Sequence, residues 1–307
     1  MSMTDKTKGF LFVTLAGLLW GTGFLYIQFV LDGGLSPQEI VSWKLLIGFI
    51  FMFAYTRKND PGALKIDRKG LLLVLILGVL CFSVYNLLMN LTMEKTTIAT
   101  TVALLYTAPF YVLIISRLLF REPFTRIKVI STIVAVSGVT LTVTGGQLDE
   151  LAYDSIGIVY GLAMGLVFAI TNLFSRHLLV RYKQLTILTY SFGFGFLFSL
   201  TFSDLTAAFR LSFDPLLWLN LILMGLVPTA LAYGFFTTGL SYKIESSKAA
   251  IITTIEVPVS VLGSYLIFSE ELNVLKLLGI AMVLFSVYLL NRERQRRLPP
   301  NRLQDGS

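Results

Sequence analysis

Ten apolar runs, each near the length needed to cross a bilayer, dominate this 307-residue chain. They leave it few folds to choose from. A spanning helix needs about 20 apolar residues, because the hydrocarbon core is about 30 Å thick and a helix rises about 1.5 Å per residue. The runs place helices at Gly9–Leu31, Pro37–Tyr55, Lys69–Leu91, Ile98–Leu119, Lys128–Val143, Ser155–Leu179, Leu185–Phe202, Pro215–Leu240, Ser246–Phe268 and Val274–Leu290. The fifth is short and is expected to sit tilted or against thinner bilayer. In hydrocarbon every backbone polar group must be satisfied internally, which helices do within one segment. The expected fold class is therefore all-α integral membrane, with ten transmembrane helices. Composition agrees. Hydrophobic residues make up 55% and charged residues 14%, with mean hydropathy +0.76; soluble proteins carry about 25% charged residues.

The breaks between runs carry helix-end chemistry. Ser36-Pro37-Gln38-Glu39 reads as an N-cap, a proline at the first helical position and a capping-box acid, so Glu39 is structural. Asp214-Pro215 opens the eighth helix in the same way, and Gly145-Gly146 ends the fifth. The polar, acidic link Gln147–Asp154 divides the chain near its midpoint.

Charge sets the expected orientation. With the N-terminus in the cytoplasm and helices alternating, 21 of the 25 Lys and Arg residues fall in cytoplasmic segments, Lys44 lies within the second helix, and only Lys95, Arg210 and Lys276 fall in outer segments. Both termini are then cytoplasmic, in a multi-pass protein of the cytoplasmic membrane. Basic residues sit dispersed at the ends of apolar runs, so the net charge of +7 does not point to nucleic acid. The tail 292–307 is basic, with Arg292–Arg297 a topology anchor able to touch anionic lipid. The first run is too long for a signal-peptide core and is expected to remain as a helix.

One run carries an unusual pair. Glu256 and Pro258 lie near the middle of Ser246–Phe268. A carboxylate at that depth is costly and normally turns towards a partner or a cavity. The proline removes one backbone hydrogen bond and crowds the carbonyl of Thr254. Such a break is tolerated where protein or a wet cavity satisfies the freed group.

The two halves of the chain resemble each other at an offset of about 149 residues. Pro109 falls on Pro258, and Glu122 on Glu271; TIATTVALLYTAP aligns with SKAAIITTIEVP, and AGLLWGTGF with MGLVFAITN. Five helices per half is an odd number, so the second half enters the membrane inverted. The expected units are 9–144 (helices 1 to 5), 155–291 (helices 6 to 10) and the tail 292–307. These features together resemble the drug/metabolite transporter superfamily, EamA family: ten helices, two five-helix repeats, the LLWG stretch, the prolines of helices 4 and 9, and the acids in FREP (Phe120–Pro123) and FSEE (Phe268–Glu271). The resemblance implies secondary transport, commonly export, of small metabolites such as amino acids. It also implies a central cavity flanked by helices 1 to 4 and 6 to 9, with helices 5 and 10 peripheral. Two positions depart from it: Lys44 stands where arginine is frequent, and Phe168 where symmetry with Trp20 would put tryptophan.

Glu256 is the main candidate for substrate binding or proton coupling, about 15 Å along its helix from Ser246. Lys44, about 12 Å into the second helix, is its candidate counterpart, either as an ion-pair partner or as the group that holds a substrate carboxylate. With both in one cavity, a zwitterion would meet two complementary ends. Asn86 and Asn90 share a helix face, as binding groups or as interhelical glue. Tyr85 and Gln28 add amphipathic groups. Trp20, Phe24, Trp43, Tyr106, Tyr111, Tyr160 and Tyr233 are candidate cavity aromatics, with Trp20 and Tyr106 favoured for lying near the breaks. Gly17/Gly21 and Gly157/Gly161/Gly165 form small-residue stripes that let backbones approach.

The favoured function is export of an amino acid or related amphipathic metabolite by alternating access. Transport of organic cations, drugs or nucleosides is the alternative. An enzyme would need clustered catalytic groups, which scattered acids and one histidine, His177, do not supply. The single cysteine, Cys81, cannot form an internal disulfide or a cysteine metal site. No cofactor, metal site or phosphate-binding loop is expected. The expected partners are a small-molecule substrate and the lipid bilayer, with protons and a second copy of the chain left open.

Overall fold

In the computed structural model the described residues are 5–96, 98–147, 154–211, 214–242, 244–269 and 271–296, and all their regular structure is helical. The expected residues of the midpoint link (148–153) and of the tail (297–307) lie outside the described set, as does Lys243. Eight helices are long and apolar enough to cross a membrane: α1 (Asp5–Asp32), α2 (Pro37–Asn59), α3 (Arg68–Thr92), α4 (Thr100–Phe120), α5 (Arg126–Thr144), α6 (Ser155–Leu178), α8 (Pro215–Ser241) and α9 (Ser246–Phe268). The other two are α7 (Gln184–Ser199) and α10 (Val274–Arg296), whose apolar part is Val274–Leu290.

The short helix is not the expected one. Helix α5 runs for 19 residues, while α7 runs for 16 and stops at Ser199 rather than Phe202. The hydroxyls of Ser199 and Thr201 donate to the carbonyls of Phe196 and Phe198, at 2.7 and 2.8 Å. Bonds of this kind offer the backbone an alternative to another helical turn.

Helix starts follow the caps. The Ser36 N–H donates to the Glu39 carboxylate at 2.7 Å, and the Glu39 N–H donates back to Ser36 Oγ at 3.4 Å. Asp67, Asp154 and Asp214 accept from the first-turn amides of α3, α6 and α8. Gly145 closes α5 at φ +59°, a conformation that costs glycine nothing.

Contacts between connections sort them onto two faces. The N-terminal face holds the start of α1, where Gly9 meets Gly239 and Tyr242, and the segments near 60–69, 120–128, 176–183 and 244–248. There Arg181 and the Tyr182 hydroxyl both donate to Asp67, at 2.9 and 2.7 Å, and Lys183 donates to Asp60 at 2.7 Å. The Tyr182 hydrogen bond above all holds the Asp67 carboxyl below the usual range. The opposite face holds the segments near 33–36, 95–96, 145–147, 154–157 and 271–273; Asn273 Nδ2 donates to the Gly145 carbonyl at 3.0 Å.

Four irregularities recur in the two halves. Helix α3 widens into π-helical turns at Leu77–Val84, and α8 does so at Leu226–Leu231, starting 149 residues later. Helix α4 breaks at Tyr106–Thr107, and α9 tightens into a 3₁₀ turn at Thr253–Ile255. Arg121 and Ser269 end α4 and α9 in the left-handed conformation, at φ 54° and 56°. These caps are 148 residues apart, as are the N-caps Thr125 and Asn273. The register of this turn therefore sets Glu122 against Glu270, outside the described residues, and not against Glu271 as the proline spacing suggests.

Helices α5 and α10 pair through their glycines. A Cβ at Gly279 would lie 2.4 Å from Thr142 Oγ1 and 2.5 Å from the Thr142 amide, whereas one at Gly234 meets nothing within 4 Å. Gly279→Ala should therefore lower the unfolding free energy of the purified protein by about 1–3 kcal/mol, the cost of overpacking. Gly234→Ala should leave it unchanged or slightly raised. Thermal melts of both variants in one detergent check this.

Candidate functional site

The two helix breaks meet inside the bundle. The hydroxyl of Tyr106, at the α4 break, donates to Glu256 Oε1, at the α9 break. Pro109 and Pro258 are both buried just beyond their breaks, where each ring removes a donor from the helix ladder. The backbone around each break lies against a glycine stripe. A Cβ at Gly21 of α1 would be 2.7 Å from the Glu256 carbonyl, and one at Gly17 would be 2.6 Å from Ile255 Cγ2. In the other half, a Cβ at Gly165 of α6 would be 2.7 Å from Thr107 Oγ1 and 3.0 Å from the Leu104 carbonyl. Glycine at these positions lets α1 reach the α9 break and α6 reach the α4 break.

Beside the joined breaks lies a cavity of about 140 Å³. Trp20, Phe168, Tyr233 and Glu256 line it near mid-depth. Phe24, Ile27, Lys44, Asn86 and Met89 line it farther along their helices, on the side away from the N-terminal face. The cavity therefore occupies the half of the bundle that ends at the opposite face. Its wall is largely aromatic. Tyr233 stands edge-on to Trp20 (centroids 5.0 Å) and to Phe82 (4.9 Å), and Tyr85 sits 5.8 Å from Phe168.

Sequence candidates divide on inspection. Glu256, Lys44, Asn86 and Trp20 line the cavity, as do Phe24, Tyr85 and Tyr233, while Tyr106 reaches it through Glu256. Glu256 and Lys44 do not pair with each other. Glu256 is held by the Tyr106 phenol, and Lys44 Nζ donates to Asn86 Oδ1 at 3.3 Å. The direct ion pair is therefore not formed, because each charge has a neutral partner closer to hand. Asn86 itself donates to the Phe82 carbonyl. Asn90 is buried one turn on, outside the cavity lining, and its amide makes no hydrogen bond among the described residues. Trp43 packs edge-on against Trp218 near the opposite face, Tyr111 packs beside Val112, Ala169 and Leu173, and Gln28 bonds Asp32; none lines the cavity.

Sequence reasoning missed Met224, Pro228 and Thr229, which the widened turn of α8 brings to the cavity. The signal was present: Pro228 sits within an apolar run, where a proline marks an irregular turn. It also missed a buried charge cluster at the N-terminal face. Glu122 there accepts from the backbone amides of Ser246 and Ser247, at 2.7 and 3.3 Å, and from Ser247 Oγ at 2.6 Å. It also pairs with Arg176, and with Lys128 at 3.7 Å. Among the described residues no group of three or more His, Cys, Asp or Glu side chains is placed to hold a metal. Cys81 is buried and His177 is exposed at the end of α6.

An all-helical membrane bundle with broken helices meeting at a polar point inside an aromatic cavity defines a polytopic membrane protein built around an internal solute site. Comparison with known proteins gives the family. The EamA-like transporter family matches residues 7–144 and again 155–292, and the chain belongs to it. It is a membrane transporter and not an enzyme. It is similar, at 24% identity over 96% of this chain and 99% of the relative, to the uncharacterized inner membrane transporter YicL of Salmonella typhimurium. It is 26% identical to the uncharacterized transporter YdfC of Bacillus subtilis, over 85% of this chain and 83% of that one. An uncharacterized transporter of Archaeoglobus fulgidus is 27% identical over 92% and 95%. A solved crystal structure shares the fold, with TM-score 0.76 at 16% identity over 94% of this chain and 98% of the other.

The Tyr106–Glu256 bond is expected to be energetically coupled. Tyr106→Phe leaves the buried carboxyl without its donor and should cost about 1–3 kcal/mol of stability. In a Glu256→Leu background the same substitution should cost far less. Unfolding of the two singles and the double variant measures the difference.

Proposed function

We propose that the chain is a secondary transporter that exports a small amphipathic metabolite, an amino acid or a close relative, by alternating access at the central cavity. The carrying observation is the arrangement of Glu256 and Lys44. Both line one aromatic cavity, and neither is consumed by the other. A zwitterion's ammonium meets Glu256, its carboxylate meets Lys44 and Asn86, and its side chain meets Trp20, Phe168 and Tyr233. The segments 9–144 and 155–291 act as inverted halves, a reading supported by the paired breaks, widened turns and left-handed caps. The basic segments gathered at the N-terminal face support cytoplasmic termini. Glu256 carries the coupling proton, since its one hydrogen-bond partner is a phenol and not a fixed cation.

A second reading has its own support. With Lys44 donating to Asn86, the carboxylate among Trp20, Tyr85, Phe168 and Tyr233 makes a box for an organic cation. Proteoliposomes screened with amino acids and cationic drugs, with and without an imposed pH gradient, separate the two. Export of a zwitterion should fall at least about tenfold in Glu256→Gln and in Lys44→Ala, the effect of losing one charged contact. Transport of a cation should be lost in Glu256→Gln and kept in Lys44→Ala. Normal transport of every solute in both variants would remove the two residues from the mechanism, and indifference to pH would remove the proton from Glu256.

A further inference from the structure

The cavity stops at mid-depth, and two layers of protein separate its floor from the N-terminal face. The first layer is apolar. Ala250 of α9 packs with Val112 of α4 and with Ala169 and Leu173 of α6, while Ala249 and Ile252 pack with Val13 and Ala16 of α1 and Leu240 of α8. The second layer is the charge cluster. Glu122 and Lys128 come from the turn after α4 and the start of α5; Arg176 comes from the end of α6, and Glu245, Ser246, Ser247 and Lys248 come from the start of α9. Glu122 is 5% exposed and Lys128 is 1% exposed. Lys128 also pairs with Glu245, which Lys248 joins at 3.2 Å, and Arg176 reaches Ser246 Oγ at 3.0 Å. The Glu122 carboxylate makes its hydrogen bonds to residues of the second half, so the cluster ties one half of the molecule to the other.

At the opposite face Glu270, the counterpart of Glu122 in the equivalent turn, lies outside the described residues. That turn has the same backbone: a left-handed cap at Ser269, an N-cap at Asn273, and a lysine, Lys276, that bonds the carbonyl five residues back at 2.9 Å. Lys128 makes the matching bond to Pro123, also at 2.9 Å. Lys128 is buried, whereas Lys276 is only partly so. The Glu122 turn is closed and buried, on the side where the cavity is sealed.

Resting on the alternating-access reading above, we propose that the Glu122–Arg176–Lys128 cluster is the gate of the transport path at the N-terminal face. It must come apart for the cavity to open there. Buried charges suit this role. They hold the closed state while paired, and water can solvate them once the halves separate, which an apolar seal of the same area would resist.

The test does not need the substrate. Cys81 is the only cysteine, so Ala250→Cys in a Cys81→Ala background places a single thiol between the cluster and Glu256. Vesicles exposing the N-terminal face are treated with a membrane-impermeant maleimide, and labelling rates are compared with and without Glu122→Gln. The rate should rise at least about tenfold, the shift that losing one charge-assisted hydrogen bond produces in a two-state equilibrium. Ser247→Ala, which removes one neutral donor and strands no charge, should give a smaller rise; it carries the test if Glu122→Gln does not yield a monodisperse protein. Unchanged labelling in intact variants would overturn the gate even if transport is found. Raised labelling with no solute transported would count against the transport reading alone.

Discussion

Backbone hydrogen bonding in lipid is the constraint on which the rest of this structure depends. A helix interrupted at mid-depth exposes carbonyls that no water can reach unless the protein admits it. Here two helices are interrupted, α4 and α9, and the molecule answers twice in the same way. The breaks are set against each other through Tyr106 and Glu256, and each is backed by a glycine-bearing helix, α1 against α9 and α6 against α4. The cavity lies beside the breaks because that is where regular helix packing cannot be maintained. Its polar groups are there for the same reason.

Symmetry of backbone and asymmetry of side chain then do different jobs. The paired π-helical turns, breaks and left-handed caps belong to both halves, and they describe a shared scaffold. The ionisable side chains of the cavity do not. Thr107 stands at the position that corresponds to Glu256 by the proline register, and Phe192 or Gly193 at the position that corresponds to Lys44. Trp20 and Phe168, which do correspond, both line the cavity as apolar wall. The cavity's ionisable groups are thus the few residues that the repeat does not share.

How much of this was legible in the sequence follows from the range of each interaction. Segments, caps and glycine stripes depend on neighbours three or four residues away. Ser36 with Glu39, Asp214 with Pro215, and Gly145 at its turn therefore read directly, as did the turning of Glu256 towards a partner and a cavity. The length of α7 did not, because hydroxyls within an apolar run can end a helix without a proline or glycine to mark the place. The partners of Glu256 and Lys44 lie 150 and 42 positions away. Charge alone left a direct pair open, and only the packing shows that each has its own neutral partner, a phenol for one and an amide for the other. The Glu122 cluster was hidden for a related reason. Lys128 and Arg176 count among the basic residues from which an orientation is read, and nothing local distinguishes a lysine at the interface from one that is buried.

The tryptophans carry a further consequence. The chain has three. Trp43 and Trp218 are packed edge-on to each other, 5.2 Å apart, and neither lines the cavity. Trp20 stands in the cavity wall against Tyr233. The protein thus contains its own optical probe: one indole of three faces the cavity directly, and its emission can be isolated by replacing the other two with phenylalanine.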